Sequence, residues 1–209
     1  MTLLLLNLGL GDEDGAKICP CDYFDLICGT STGGLIALML GRLRMTVDEC
    51  IDTYVKLSQD IFGRRNSFAL LRRLGGGAQY SASVMDQKVK DIVKSKTGDA
   101  DEKMRDPLKG KCCKTFVVAI ARDYADAPPV KLRTYSTSES LADSCTIWQA
   151  ARATSAASTF FDPITFGTPK ITYIVSYNFL PSFNVQRSLK VIYLGRGIGR
   201  TQQSGEASH

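Results

Sequence analysis

One stretch constrains this chain more than any other. Asp25-Leu26-Ile27-Cys28-Gly29-Thr30-Ser31-Thr32-Gly33-Gly34-Leu35-Ile36-Ala37-Leu38 is an apolar run that turns on glycines around one serine and resumes as a helix. Tyr23 to Cys28 is aromatic and aliphatic enough for a buried strand, and Leu35 to Leu43 has few helix breakers. The pattern Gly29-x-Ser31-x-Gly33 therefore stands in the strand, turn and helix context of a nucleophile elbow. Such a turn holds its serine in strained backbone, so strand and helix must pass closely, which Gly29, Gly33 and Gly34 permit. Ser31 is then the catalytic nucleophile, pushed out at the helix start. There the unpaired first-turn amides favour an oxyanion, and the N–H of Thr32 is a candidate donor. The same residues also suit a glycine-rich turn that binds an anion or packs a strand on a helix, and the motif alone leaves both readings open.

Gly29-Thr30-Ser31-Thr32-Gly33-Gly34, with Cys21-Asp22-Tyr23-Phe24-Asp25 before it and Leu35 to Gly41 after it, closely resembles the patatin-like phospholipase family. A second block agrees: Trp148-Gln149-Ala150-Ala151-Arg152-Ala153-Thr154-Ser155-Ala156-Ala157, followed by Phe160-Phe161, resembles the alanine-rich helix that precedes the family's catalytic aspartate. The resemblance runs from about Cys21 to about Phe166. It implies an α/β, three-layer patatin-like fold with a mostly parallel central sheet, truncated at both ends. It also implies a hydrolase of phospholipid or other acyl-ester lipid, acting through a serine and an acyl-enzyme at a peripheral membrane surface, with no cofactor and no metal.

The family pattern is incomplete here. Its serine works with an aspartate instead of a Ser-His-Asp triad, and the only histidine is His209. That aspartate should follow the alanine-rich helix in an Asp-Gly-Gly or Asp-Gly-Ala turn. Asp162 precedes Pro163 in a different context, no aspartate occurs from Pro163 to His209, and Asp14-Gly15-Ala16 lies upstream of the serine, in the wrong order. The family's upstream loop, Asp-Gly-Gly-Gly-x-Arg-Gly, supplies oxyanion amides, whereas Asn7-Leu8-Gly9-Leu10-Gly11-Asp12 lacks both the consecutive glycines and the arginine.

The chain has 209 residues, 44 % of them hydrophobic, enough for one buried core. The net charge of +5 suits anionic headgroups and ordinary soluble domains alike, and no nucleic-acid partner is expected. From Gly167 to His209 five basic residues face one acid, so that stretch carries +4 of the total. Such a shift marks a seam. The expected organisation is a short atypical segment over 1–20, a partial patatin-like domain over 21–166, and an atypical segment over 167–209 with a disordered tail from Gly195. Seven cysteines without paired spacing, and no leader or membrane span, lead to the expectation of reduced thiols and an intracellular, cytoplasmic location.

Between the two blocks, Thr46-Val47-Asp48-Glu49 is a capping box that opens a helix to about Ile61, with Cys50, Ile51, Tyr54, Val55, Leu57 and Ile61 as its buried face. Arg64 to Gly77 is either a basic, leucine-bearing flap for lipid or a solvated loop. Ser83 with Asp86 opens a further helix carrying Val84, Val89, Ile92 and Val93 on one side and ending at Gly98. Thr115 to Ala121 and Val130 to Tyr135 read as strands, Thr146 to Ala157 as a helix, and Ile171 to Tyr177 and Leu189 to Leu194 as strand segments. Two functional classes fit: a serine lipid acyl hydrolase whose site is impaired, or a non-catalytic truncated form or pseudoenzyme that binds lipid or a partner protein.

Overall fold

Strand β2, Lys114–Ala121, is buried at nearly every position, so it cannot face water on either side and must lie inside a sheet covered on both faces. Its neighbour β1, Leu26–Thr30, runs parallel to it, with Leu26 opposite Lys114 and Thr30 opposite Val118. This computed structural model describes residues 19–62, 82–107, 113–124, 128–137, 145–157, 161–175 and 191–194. The expected flap, the upstream glycine segment and the tail from Gly195 lie outside them.

The sheet has six strands. Besides β1 and β2 these are β3 (Val130–Arg133), β4 (Ile164–Phe166), β5 (Ile171–Val175) and β6 (Val191–Leu194). β6 pairs in parallel with the other edge of β1, while β3 and β5 pair antiparallel with β2, and β4 with β5. The mostly parallel arrangement expected of the central sheet holds around β1, while the pairings of β3, β4 and β5 are antiparallel. Connection length is the reason. Only the turn Gly167 to Lys170 separates β4 from β5, and only residues 122–129 separate β2 from β3. A parallel crossover needs a dozen residues or more. The acid-poor segment after Phe166 thus supplies two strands of the sheet, β5 and β6.

The register fixes where β5 lies. Ala119 pairs with Val130 of β3 and with Val175 of β5, so these lie on opposite edges of β2. Phe116, Val117 and Val118 pair with both β3 and β1. β5 therefore shares the β1 edge, taking over at Ala119 where β1 leaves the sheet after Thr30.

Side-chain alternation divides the two faces. Ile27, Val117, Ala119 and Leu132 point into the larger core, which the helices complete. Cys28, Phe116 and Val118 form a separate apolar cluster with Leu26 on the other face. The helices are α1 (Pro20–Tyr23), α2 (Thr32–Ala37) continuing through a π-helical turn (Leu38–Arg42), α3 (Val47–Phe62), α4 (Ala82–Thr97) and α5 (Ile147–Ser155). All of them contribute to the larger core. Among the described residues, no helix contributes to that smaller cluster.

The capping box of α3 forms in both directions: Glu49 N–H donates to Thr46 Oγ1 at 3.2 Å, and Thr46 N–H to Glu49 Oε2 at 3.1 Å. Its buried face is narrower than expected. Cys50, Leu57 and Ile61 are buried, but Ile51 and Val55 are 48 % and 46 % exposed. At about 100° per residue those two lie roughly 100–140° round the helix from the buried three, beyond the arc that touches the core. Val84 of α4 is 43 % exposed for the same reason, whereas Met85, Val89 and Val93 are buried. Asp86 turns to Arg152, and α4 stops at Gly98 in left-handed backbone, φ +87°, with its N–H on the Lys94 carbonyl.

The π turn carries the buried Arg42. Its guanidinium donates to Glu102 Oε1 at 2.7 Å and to the carbonyls of Met104, Lys103 and Arg105, fastening residues 102–105 to the core. The same turn brings Gly41 against β2, where a Cβ would sit 2.1 Å from Thr115 Oγ1. Gly41→Ala is expected to cost about 1–3 kcal/mol in urea unfolding. Combining it with Thr115→Ala should recover most of that cost, and strictly additive effects would contradict the contact.

Candidate active site

β1 ends at Thr30 and α2 starts at Thr32, which leaves Ser31 alone at the turn. Its backbone is at φ 55°, ψ −131°, outside the regions a side-chain-bearing residue ordinarily adopts. Neither Gly29 nor Gly33 takes positive φ, so the serine itself bears the strain. Ser31 is half-buried and Thr32 exposed, while Gly29, Gly33 and Gly34 are buried.

The first helical turn closes on Ser31. Its carbonyl accepts from Gly34 N–H at 2.9 Å and Leu35 N–H at 3.2 Å. The amides of Thr32 and Gly33 are the first two of the helix and have no intrahelical acceptor, as at any helix start. They carry partial positive charge beside the serine.

The N–H of Ser31 points away from that space. It donates to two acceptors of one residue, the carbonyl and the Oγ1 of Thr154, each at 3.0 Å. Thr154 is fully buried in α5, and its own hydroxyl donates to the Val118 carbonyl of β2 at 2.8 Å. Gly34 makes room for it: a Cβ there would meet Thr154 Oγ1 at 2.6 Å and Cγ2 at 2.7 Å. The structure thus brings together Ser31, Gly34 and Thr154, of which the sequence patterns single out the first two.

Asp162 is tied to Arg152 through its backbone. It is exposed, and its carbonyl accepts from Arg152 Nη2 at 2.9 Å. Arg152 is 2 % exposed, donates through Nε to Asp86 at 2.5 Å, and lies 5.6 Å from the Phe161 ring centroid. Its Nη1 is buried and has no hydrogen-bond partner among the described residues. Among the described residues, no side chain hydrogen-bonds the Ser31 hydroxyl. Asp12 and Asp14 lie outside the described residues. Cys28, three residues before the serine, is no rival nucleophile: burial pushes its thiol up to about 12, against a smaller opposing pull from Lys131. Among the described residues no three His, Cys, Asp or Glu side chains are grouped to hold a metal, and no helix is long and apolar enough to cross a membrane.

The family model described as Patatin-like phospholipase matches residues 9–175. Calcium-independent phospholipase A2-gamma of Rattus norvegicus is 33 % identical over 153 residues, covering 69 % of this chain and 19 % of the rat protein. The Homo sapiens protein of the same name is 29 % identical over 155 residues with the same coverage. Patatin-like protein 3 of Arabidopsis thaliana is 30 % identical over 177 residues, covering 76 % of this chain and 39 % of that protein. The chain thus spans about a fifth of the length of its mammalian relatives.

The strain at Ser31 is measurable as stability. Glycine tolerates this backbone and alanine does not, so Ser31→Gly should exceed Ser31→Ala by about 1 kcal/mol in thermal unfolding, after its greater unfolded-state entropy is counted. An alanine variant as stable as the glycine variant would show that the turn is unstrained.

Proposed function

Because the chain belongs to the patatin-like phospholipase family, we propose that Ser31 is the nucleophile of a lipid acyl-ester hydrolase site. Its Oγ attacks the carbonyl carbon of a fatty acyl ester, the alcohol leaves, and water releases the fatty acid from the acyl-enzyme. The observation that carries this reading is the φ of 55° at Ser31, between a parallel strand and a helix start. Non-glycine residues persist in such backbone chiefly where a site requires it. In this reading the amides of Thr32 and Gly33 stabilise the oxyanion, and Gly29 and Gly34 give the turn its clearance. The substrate class is phospholipid or a related acyl-ester lipid met at a membrane surface, in keeping with the phospholipase names of the relatives.

We also read the site of this chain as impaired. A serine hydroxyl is a weak nucleophile near neutral pH and needs a hydrogen-bonded base. No described carboxylate bonds to Ser31, and after Asp162 the sequence holds no aspartate and only Glu206 as an acid. The same observation supports the second reading, a non-catalytic protein that binds lipid or a partner chain. General-base assistance contributes about 10²–10⁴-fold, so a typical turnover of about 10 per second should fall below roughly 0.1 per second.

The test compares the purified chain with Ser31→Ala on a short activated ester and on phospholipid vesicles. Turnover at or near the background of the variant is expected. Robust turnover lost in Ser31→Ala would mean that an acid such as Asp162, Asp14 or Asp12 reaches the serine and that the site is complete.

A further inference from the structure

A buried threonine in a helix ordinarily turns its hydroxyl back onto the carbonyl one turn earlier, as the adjacent Ser155 does by donating to Ala151 O at 2.7 Å. Thr154 does not. It spends its single proton on Val118 O, in the strand that pairs with β1 at Thr30, which leaves its lone pairs for the N–H of Ser31. A contact that only glued α5 to the sheet would need the Val118 bond alone. The second acceptor for Ser31 N–H is the surplus, and it falls on the residue whose backbone is strained. Gly34 is the counterpart, because any side chain there would displace Thr154.

We propose that Thr154 is a positioning residue: its hydroxyl, anchored on β2, fixes the Ser31 backbone and so aims both the serine side chain and the following Thr32 amide. The proposal rests on the reading of Ser31 as the reacting side chain, but its test needs neither a base nor a lipid substrate. In a Ser31→Cys background the introduced thiol sits at the helix start, where its ionisation is favoured, and its alkylation by iodoacetamide can be followed against pH by peptide mass spectrometry. Adding Thr154→Val, which keeps shape and loses the hydroxyl, should raise the apparent thiol pKa by roughly half a unit and slow alkylation at pH 7 about threefold. Thr154→Ser, which keeps the hydroxyl, should leave the profile unchanged, and Gly34→Ala should act like the valine variant.

A folded Thr154→Val protein with the parental profile would overturn the proposal, as would a serine variant that shifts equally. Should the valine variant fail to fold, the Gly34→Ala and Thr154→Ser pair decides on the same criterion. The unaltered chain gives a further measurement: the Ser31 amide should exchange with solvent deuterium as slowly as the amides of β1, and exchange at the rate of an open loop would equally overturn it. Absence of ester hydrolysis bears on the proposed function and leaves each of these readouts intact.

Discussion

The chain from Ser31 N–H through the Thr154 hydroxyl to the Val118 carbonyl joins three elements that lie far apart in sequence. Backbone like that of Ser31 costs on the order of 1–3 kcal/mol, and it survives only where surrounding contacts over-determine it. Here the over-determination comes from β2, which is buried almost throughout and cannot shift. α5 can reach β2 and the elbow because its inner face is Ala150, Ala151 and Ala153, all buried. Larger residues would hold the helix axis away from the sheet and leave both Ser31 N–H and Thr154 Oγ1 unsatisfied in a dry interior, at about 1–3 kcal/mol each.

Two buried arginines fix the surroundings of this unit. Arg42 binds the 102–105 segment through carbonyls and the partly exposed Glu102. Arg152 ties α5 to Asp86 of α4 and to the backbone at Asp162. Buried ion pairs seldom add much net stability, because desolvation offsets attraction, but removing one partner is expensive. Their effect here is geometric: they hold segments without regular structure in one place relative to the helices.

Much of this was legible in the sequence because it rests on local patterns. The turn at Ser31, the α3 capping box, the apolar run of β2 and the alanine-rich helix each follow from residues within one element or two consecutive ones. What was not legible depends on pairs distant in sequence. Thr154 differs from its alanine neighbours by one hydroxyl, and nothing in its own helix announces Val118 or Ser31 as partners. The antiparallel edge of the sheet follows from connection lengths that a family resemblance does not weigh. Their apolar character places Ile51 and Val55 on the buried face in the sequence, yet the helix contact covers only the arc of Cys50, Leu57 and Ile61. The acid-poor stretch after Phe166 reads as foreign by charge, but its strands pair with β2 and β1 because strand pairing depends on backbone and apolar side chains, not on net charge.

In the reading proposed above Ser31 is held as a nucleophile without a base, and the pH dependence of its covalent modification is the deciding measurement. A fluorophosphonate should label Ser31 slowly, at a rate that rises with hydroxide across pH 5 to 9, because no described side chain hydrogen-bonds the serine hydroxyl to assist it. A rate that climbs through an inflection and then levels off would report the pKa of a general base at the serine, and Ser31 would then have the partner it is proposed to lack.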